Sequence, residues 1–148
     1  LPVFREIPVA MDYSRLAQGL SLGLKSGLSP ETTLELTRSL LTQPEILDRL
    51  KKTSVLLDEG EAFSRALTES ELFGGMEGRL VNISFYSGTS DETFRQLSRQ
   101  YTEKSLDLIS QAVSVIEPTI VILLSLLVGL VLLSVMMPLL GILSDFAM

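Results

Sequence analysis

The run Thr119–Leu143, TIVILLSLLVGLVLLSVMMPLLGIL, carries no charged residue. About 20 apolar residues suffice for a helix to cross the hydrocarbon core of a bilayer. The run is therefore read as a transmembrane helix rather than as the core helix of a soluble domain. Its polar features are few: Ser125, Ser134 and the bare backbone of Gly129. A serine in such a helix can return its hydroxyl to the carbonyl one turn earlier, and glycine is commoner in membrane helices than in soluble ones.

About 118 residues precede the run, enough for one compact domain with its own core but not comfortably two. The chain has no Cys and no His, which removes disulfides, thiolate sites, the usual general base and the commonest metal ligand. A net charge of −6 argues against nucleic acid, since phosphate binding needs clustered Lys and Arg. The first residue is Leu1 rather than Met, as expected of a fragment or a processed product, and no cleavable signal peptide is visible.

Residues 1–11, with Pro2 and Pro8 and only a broken apolar pattern, are read as an extended lead-in. The first helix is expected over Asp12–Ser26. Tyr13, Leu16, Ala17, Leu20 and Leu24 form its buried face, and Gly27 closes it in the left-handed conformation. Ser29-Pro30-Glu31 opens a second helix running to about Leu41, with Ser29 as cap. Gln43-Pro44-Glu45 repeats this punctuation and opens a third helix to about Leu57, buried through Ile46, Leu47, Leu50 and Leu57. Its Asp48, Arg49, Lys51 and Lys52 are read as a solvated face.

After the turn Asp58-Glu59-Gly60-Glu61, a short helix over Ala62–Leu67 turns Phe63, Ala66 and Leu67 inward. Gly74-Gly75 marks a loop. A fifth helix, Met76–Tyr86, is expected to use Met76, Leu80 and Ile83 as its inner face and to break at Gly88. Thr89-Ser90-Asp91-Glu92 has the capping-box pattern that starts a sixth helix. Phe94, Leu97, Tyr101, Leu108, Ala112 and Ile116 give that helix its apolar stripe. No stretch alternates long enough for a strand, so the fold is all-α: an antiparallel six-helix bundle whose last helix extends into the transmembrane helix. The expected divisions are the lead-in 1–11, the bundle 12–104, an amphipathic stalk 105–117, the transmembrane helix 118–143 and a short tail 144–148.

Arg95, Arg99 and Lys104 precede the membrane run, whereas only Asp145 follows it. The positive-inside rule then places the bundle in the cytoplasm and Met148 outside. Glu117-Pro118 stands at the membrane boundary. A carboxylate there still reaches water or a partner's cation, and the proline removes one helical hydrogen bond, so the pair is either an interfacial cap or a hinge. Pro138 marks a second expected kink.

No residues assemble a catalytic motif. Asp58, Glu59 and Glu61 lack the spacing of a calcium loop and read as a solvated turn. Ser87-Gly88 lacks the earlier glycine of a nucleophile elbow, and Gly74-Gly75-Met76-Glu77-Gly78 lacks the Lys and Ser of a phosphate loop. Catalytic, cofactor and metal sites are all expected to be absent.

The order of features resembles one repeat of the F-domain family, the inner-membrane platform proteins of bacterial type II secretion and type IV pilus assembly. Leu1-Pro2-Val3-Phe4 followed by Ser14-Arg15-Leu16-Ala17 is similar to the start of the family's second repeat. Lys25-Ser26-Gly27-Leu28 with Glu35-Leu36 resembles its helix–glycine–helix signature. Gly60 through Leu67, including Ala66, resembles its Gly-x-x-apolar-x-x-Ala-Leu element, and Ser87-Gly88 the end of its Gly-Glu-x-Ser-Gly segment. Ile116-Glu117-Pro118, Val128-Gly129 and Met137-Pro138 are similar to its final membrane helix. The chain departs from the pattern at Ser84-Phe85-Tyr86, read with Phe85 at the glycine position and Tyr86 replacing the carboxylate. The resemblance therefore does not supply that Glu's cation-binding or ion-pairing role here.

The resemblance implies a non-enzymatic platform component without cofactors, in the bacterial inner membrane with a periplasmic C-terminus. Its partners would be the cytoplasmic assembly ATPase, pilin or pseudopilin transmembrane helices, other inner-membrane assembly proteins, further copies of itself and membrane lipid. The chain would be the C-terminal half of a two-repeat protein. Competing readings are a tail-anchored cytoplasmic binding module unrelated to pili and a membrane-bound hydrolase using two converging carboxylates.

Overall fold

A computed structural model describes residues 2–147, in two compact units, Leu1–Ile109 and Ser110–Met148. Leu1, and Met148 with its expected position across the membrane, lie outside the described residues. The order is α1 (Pro2–Lys25), α2 (Pro30–Arg38), α3 (Pro44–Asp58), α4 (Phe63–Glu69), α5 (Gly75–Ser87) and α6 (Ser90–Ala147). There is no strand among the described residues, and the expected all-α fold of six helices is found.

The lead-in is not extended. Helix α1 runs from Pro2 straight through Pro8. Pro2 stands at the first helical position, where a missing N–H costs nothing. Pro8 removes one hydrogen bond, yet Ala10 is buried and Val9 packs on the core, so tertiary contact carries the helix through. Farther along, Leu16, Ala17 and Leu20 are buried with Tyr13 and Leu24 packed beside them, the face the periodicity predicts. Gly27 ends the helix region at φ +77°, where a β-carbon would be strained.

Helices α1 and α2 approach so closely that only glycine fits. A β-carbon on Gly19 would lie 2.7 Å from Thr37 Oγ1, and one on Gly23 would lie 2.4 Å from Thr33 Cγ2. Rising positions on α1 meet falling positions on α2, so the pair is antiparallel. The same holds for α1 and α6, where Ser14 meets Ser98 and Thr102 while Ser21 donates to the Asp91 carbonyl. Ser14 and Ser98 each donate to the other's carbonyl, at 3.3 and 3.2 Å. Small hydroxyl residues thus make this seam narrow and satisfied.

Leu16, Leu20, Leu34, Leu50, Leu67, Leu72, Phe94 and Leu97 form the centre of the core. An aromatic chain runs through it: Tyr101 on Tyr13, Tyr13 on Phe73, Phe73 on Phe94, Phe94 on Phe85 and Phe85 on Phe63. Ile46, Leu50, Leu57, Phe63, Ala66 and Leu67 are buried as expected.

Helix α5 presents the opposite face to the one expected. Met76, Leu80, Ile83 and Tyr86 are 74%, 43%, 62% and 85% exposed, while Val81 and Ser84 are buried. The cause is the backbone at Gly78, where a β-carbon would lie 2.4 Å from the Phe73 carbonyl oxygen. This contact seats the helix on the side of Gly78, Val81 and Ser84.

The capping box of α6 does not form. Both Gly88 and Thr89 give their N–H groups to the Ser84 carbonyl across the left-handed Gly88, a Schellman-like closure. Glu92 instead grips Arg95 at 2.6 and 3.0 Å, which holds its carboxyl below the usual range.

Candidate functional site

The most connected polar group of the first unit is Asp12, a residue that sequence reasoning used only to mark a helix start. It is fully buried on α1. Its carboxylate accepts from the Thr42 N–H at 2.8 Å, the Gln43 N–H at 2.7 Å, the Thr42 hydroxyl at 3.1 Å and Arg15 Nη1 at 3.3 Å. Gln43 makes no side-chain cap of its own on α3, whereas Ser29 caps α2 through the Thr32 N–H as expected. Asp12 therefore satisfies the two backbone N–H groups immediately ahead of α3, and it pins the α2–α3 connection to α1. Helix α2 accordingly stops at Arg38 rather than near Leu41.

Arg49 is not merely part of a solvated face. It reaches Glu45 at 2.9 Å, the Glu71 carbonyl at 3.3 Å and the Tyr13 hydroxyl at 3.4 Å, tying α3 to α1 and to the loop after α4. Glu71, in that loop, has φ +55°.

The family-motif positions are turn residues, a helix-end hydroxyl and core contacts. Gly27, Gly60 and Gly88 have φ of +77°, +90° and +73°, where L side chains are strained. Ala66 and Leu67 are buried. The Ser87 hydroxyl donates to the Ile83 carbonyl at 3.0 Å and lies 3.3 Å from Thr89 Oγ1, closing the α5 terminus. Counting back from Gly88 places Ser84, not Phe85, at the first position of the five-residue segment, and Phe85, not Tyr86, at the second. The packing gives the reason for the substitution. Phe85 turns into the aromatic chain, 5.6 Å from the Phe63 ring and 6.2 Å from the Phe94 ring, while Tyr86 faces water.

Glu117, Pro118, Gly129 and Pro138 all lie on α6, which is one helix through both prolines. Glu117, Pro118 and Pro138 are exposed, and no β-carbon contact opposes Gly129. Pro118 leaves the Ser114 carbonyl without its helical donor. Hydroxyls bracket this gap: Ser114 donates to the Ser110 carbonyl at 2.9 Å and Thr119 to the Val115 carbonyl at 2.8 Å. Ser125 likewise returns its hydroxyl to Val121. Beside it, Gly129 opens a shallow apolar recess flanked by Val121, Val128 and Leu132. The apolar window of α6 has a mean hydropathy of 3.0 and is unburied, the surface that a membrane-spanning helix presents to lipid.

These parts define a membrane-anchored helical scaffold: a packed bundle whose sixth helix continues into an apolar span. The type II secretion system protein F family matches residues 16–138, and the chain belongs to this family of type II secretion and type IV pilus platform proteins. The family and the apolar helix make it an inner-membrane protein. It is similar to the type 4 fimbrial assembly protein PilC of Pseudomonas putida, 28% identical over 133 residues, 87% of this chain and 32% of the relative. It is also similar to the type IV pilus assembly protein PilC of Thermus thermophilus, 21% identical over 148 residues, 99% of this chain and 36% of the relative. The chain thus spans about a third of the length of the curated relatives it matches.

Proposed function

We propose that this chain is a cytoplasmic bundle and a membrane span of a non-enzymatic platform component, passing the action of a cytoplasmic assembly ATPase to pilin or pseudopilin helices in the inner membrane. The observation that carries this reading is the continuity of α6. One helix bears the core residues Phe94 and Leu97 and, farther along, the whole apolar run. Glu117 and Pro118 are the joint at the water–membrane boundary: the proline frees one carbonyl and eases bending, and the carboxylate meets a cation on a neighbouring or incoming helix. The fimbrial and pilus-assembly names of the two relatives support the pilus side of the reading.

The test replaces each residue of the joint in the intact gene. Pro118→Ala stiffens the joint and Glu117→Gln keeps its shape without its charge. Both variants are expected to accumulate normally in the membrane and to reduce pilus assembly or secretion. Wild-type assembly and secretion by both would reduce the pair to an interfacial cap.

A further inference from the structure

Ahead of the apolar run, α6 carries two apolar stripes. Ser105, Leu108 and Ala112 form one and are buried. Leu106, Ile109, Val113 and Ile116 form the other, and each is 40–60% exposed. The exposed four recur at steps of three, four and three residues, the repeat of a seam between two parallel helices. Ile120, Leu123, Leu127 and Leu130 continue the repeat into the run. There the same face needs no cover, because lipid tails are as apolar as leucine. Ahead of the run it does. The headgroup layer is about 5–8 Å deep, whereas Ile109 and Leu106 stand about 14 and 18 Å along the helix before Pro118. Lipid therefore does not reach the upper half of the stripe. Its open flank holds Ser110 and Glu117, a single charge.

We propose that this stripe is covered by the same stripe of a second copy, the two α6 helices lying parallel. The occupant has to present apolar residues at this height above the bilayer and in this repeat. A second copy does both, because its own apolar run holds its stripe at the same depth. A two-fold axis along the bilayer normal then brings Leu106, Ile109, Val113 and Ile116 against their counterparts. With Glu117 as the one charge on the flank, the pairing sets no row of like charges along the seam. The inference rests on the anchoring of α6 in the membrane and not on the coupling role proposed above.

The chain has no cysteine, so single cysteines report the contact directly. Leu106→Cys, Ile109→Cys, Val113→Cys and Ile116→Cys are each made in the full chain, reconstituted in liposomes and oxidised with copper phenanthroline. Asp107→Cys, Gln111→Cys and Val115→Cys are the controls. Val115 is the sharpest of them, being apolar and exposed but off the stripe. Disulfide-linked pairs are expected at the four stripe positions, forming about tenfold faster than at the controls, because only facing cysteines meet the geometry of the bond. Helical circular dichroism should be unchanged in every variant. Dilution with excess cysteine-free chain should lower the linked fraction in proportion. Equal rates at all seven positions would overturn the proposal, as random collision. A maximum at Val115 would overturn it by placing the contact on another face. No linked pair at the four positions would also overturn it, as expected if lipid or a different protein covers the stripe.

Discussion

Asp12 shows how much one side chain carries when it is buried with every partner in place. Two of its four hydrogen bonds come from backbone N–H groups that have no side-chain cap in their own segment. Removing a buried acceptor costs its bonds and leaves the donors dry, and bonds to a charged group are worth about 1.5–3 kcal/mol. Asp12→Ala is accordingly expected to destabilise the bundle by about 3 kcal/mol and to lower the helical melting midpoint of the detergent-solubilised chain by about 10 °C. An unchanged midpoint would mean that water takes over the Thr42 and Gln43 donors without loss. No local pattern announces this latch, because its halves lie 30 and 31 residues apart. A side chain's reach across a fold is invisible to capping rules, which look only a few positions ahead.

Helices announce themselves more readily than their faces. Pro30 and Pro44 open α2 and α3, Gly27 and Gly88 close α1 and α5, and all are local signals with local causes. The α5 face was not legible, since Met76, Leu80 and Ile83 fit helical periodicity as well as Val81 and Ser84 do. The contact at Gly78 decides between them, and that contact exists only after folding. The lead-in misled for a related reason: two prolines outweigh propensity over ten residues, until burial of Ala10 outweighs the prolines. A paired substitution tests the α5 assignment. Ile83→Lys is expected to change stability by less than about 0.5 kcal/mol, whereas Val81→Ala should cost about 2 kcal/mol. Equal losses in chemical denaturation would restore the periodicity-based face.

At the scale of the molecule, the membrane run and the family-like order of motifs were the most legible features, because an uncharged apolar stretch and a series of glycine turns survive in sequence without any tertiary knowledge. The expected orientation, with the bundle in the cytoplasm, rests on Arg95, Arg99 and Lys104 ahead of the span. Alkaline phosphatase fused after Met148 is expected to be active and a fluorescent protein at the same position dark. The reverse pattern would turn the bundle to the periplasmic side.

The seam between α1 and α6 has a consequence in time. Ser14 meets Ser98 and Thr102, and Ser21 meets Asp91, so every half of that seam has been synthesised before the first apolar residue of the span. Domains generally fold as units while the chain is still growing, the earlier-made part first. The ribosome therefore releases the complete set of bundle contacts ahead of the segment destined for lipid. The greasy run emerges behind a domain already able to close, so its insertion need not wait on folding, nor folding on insertion.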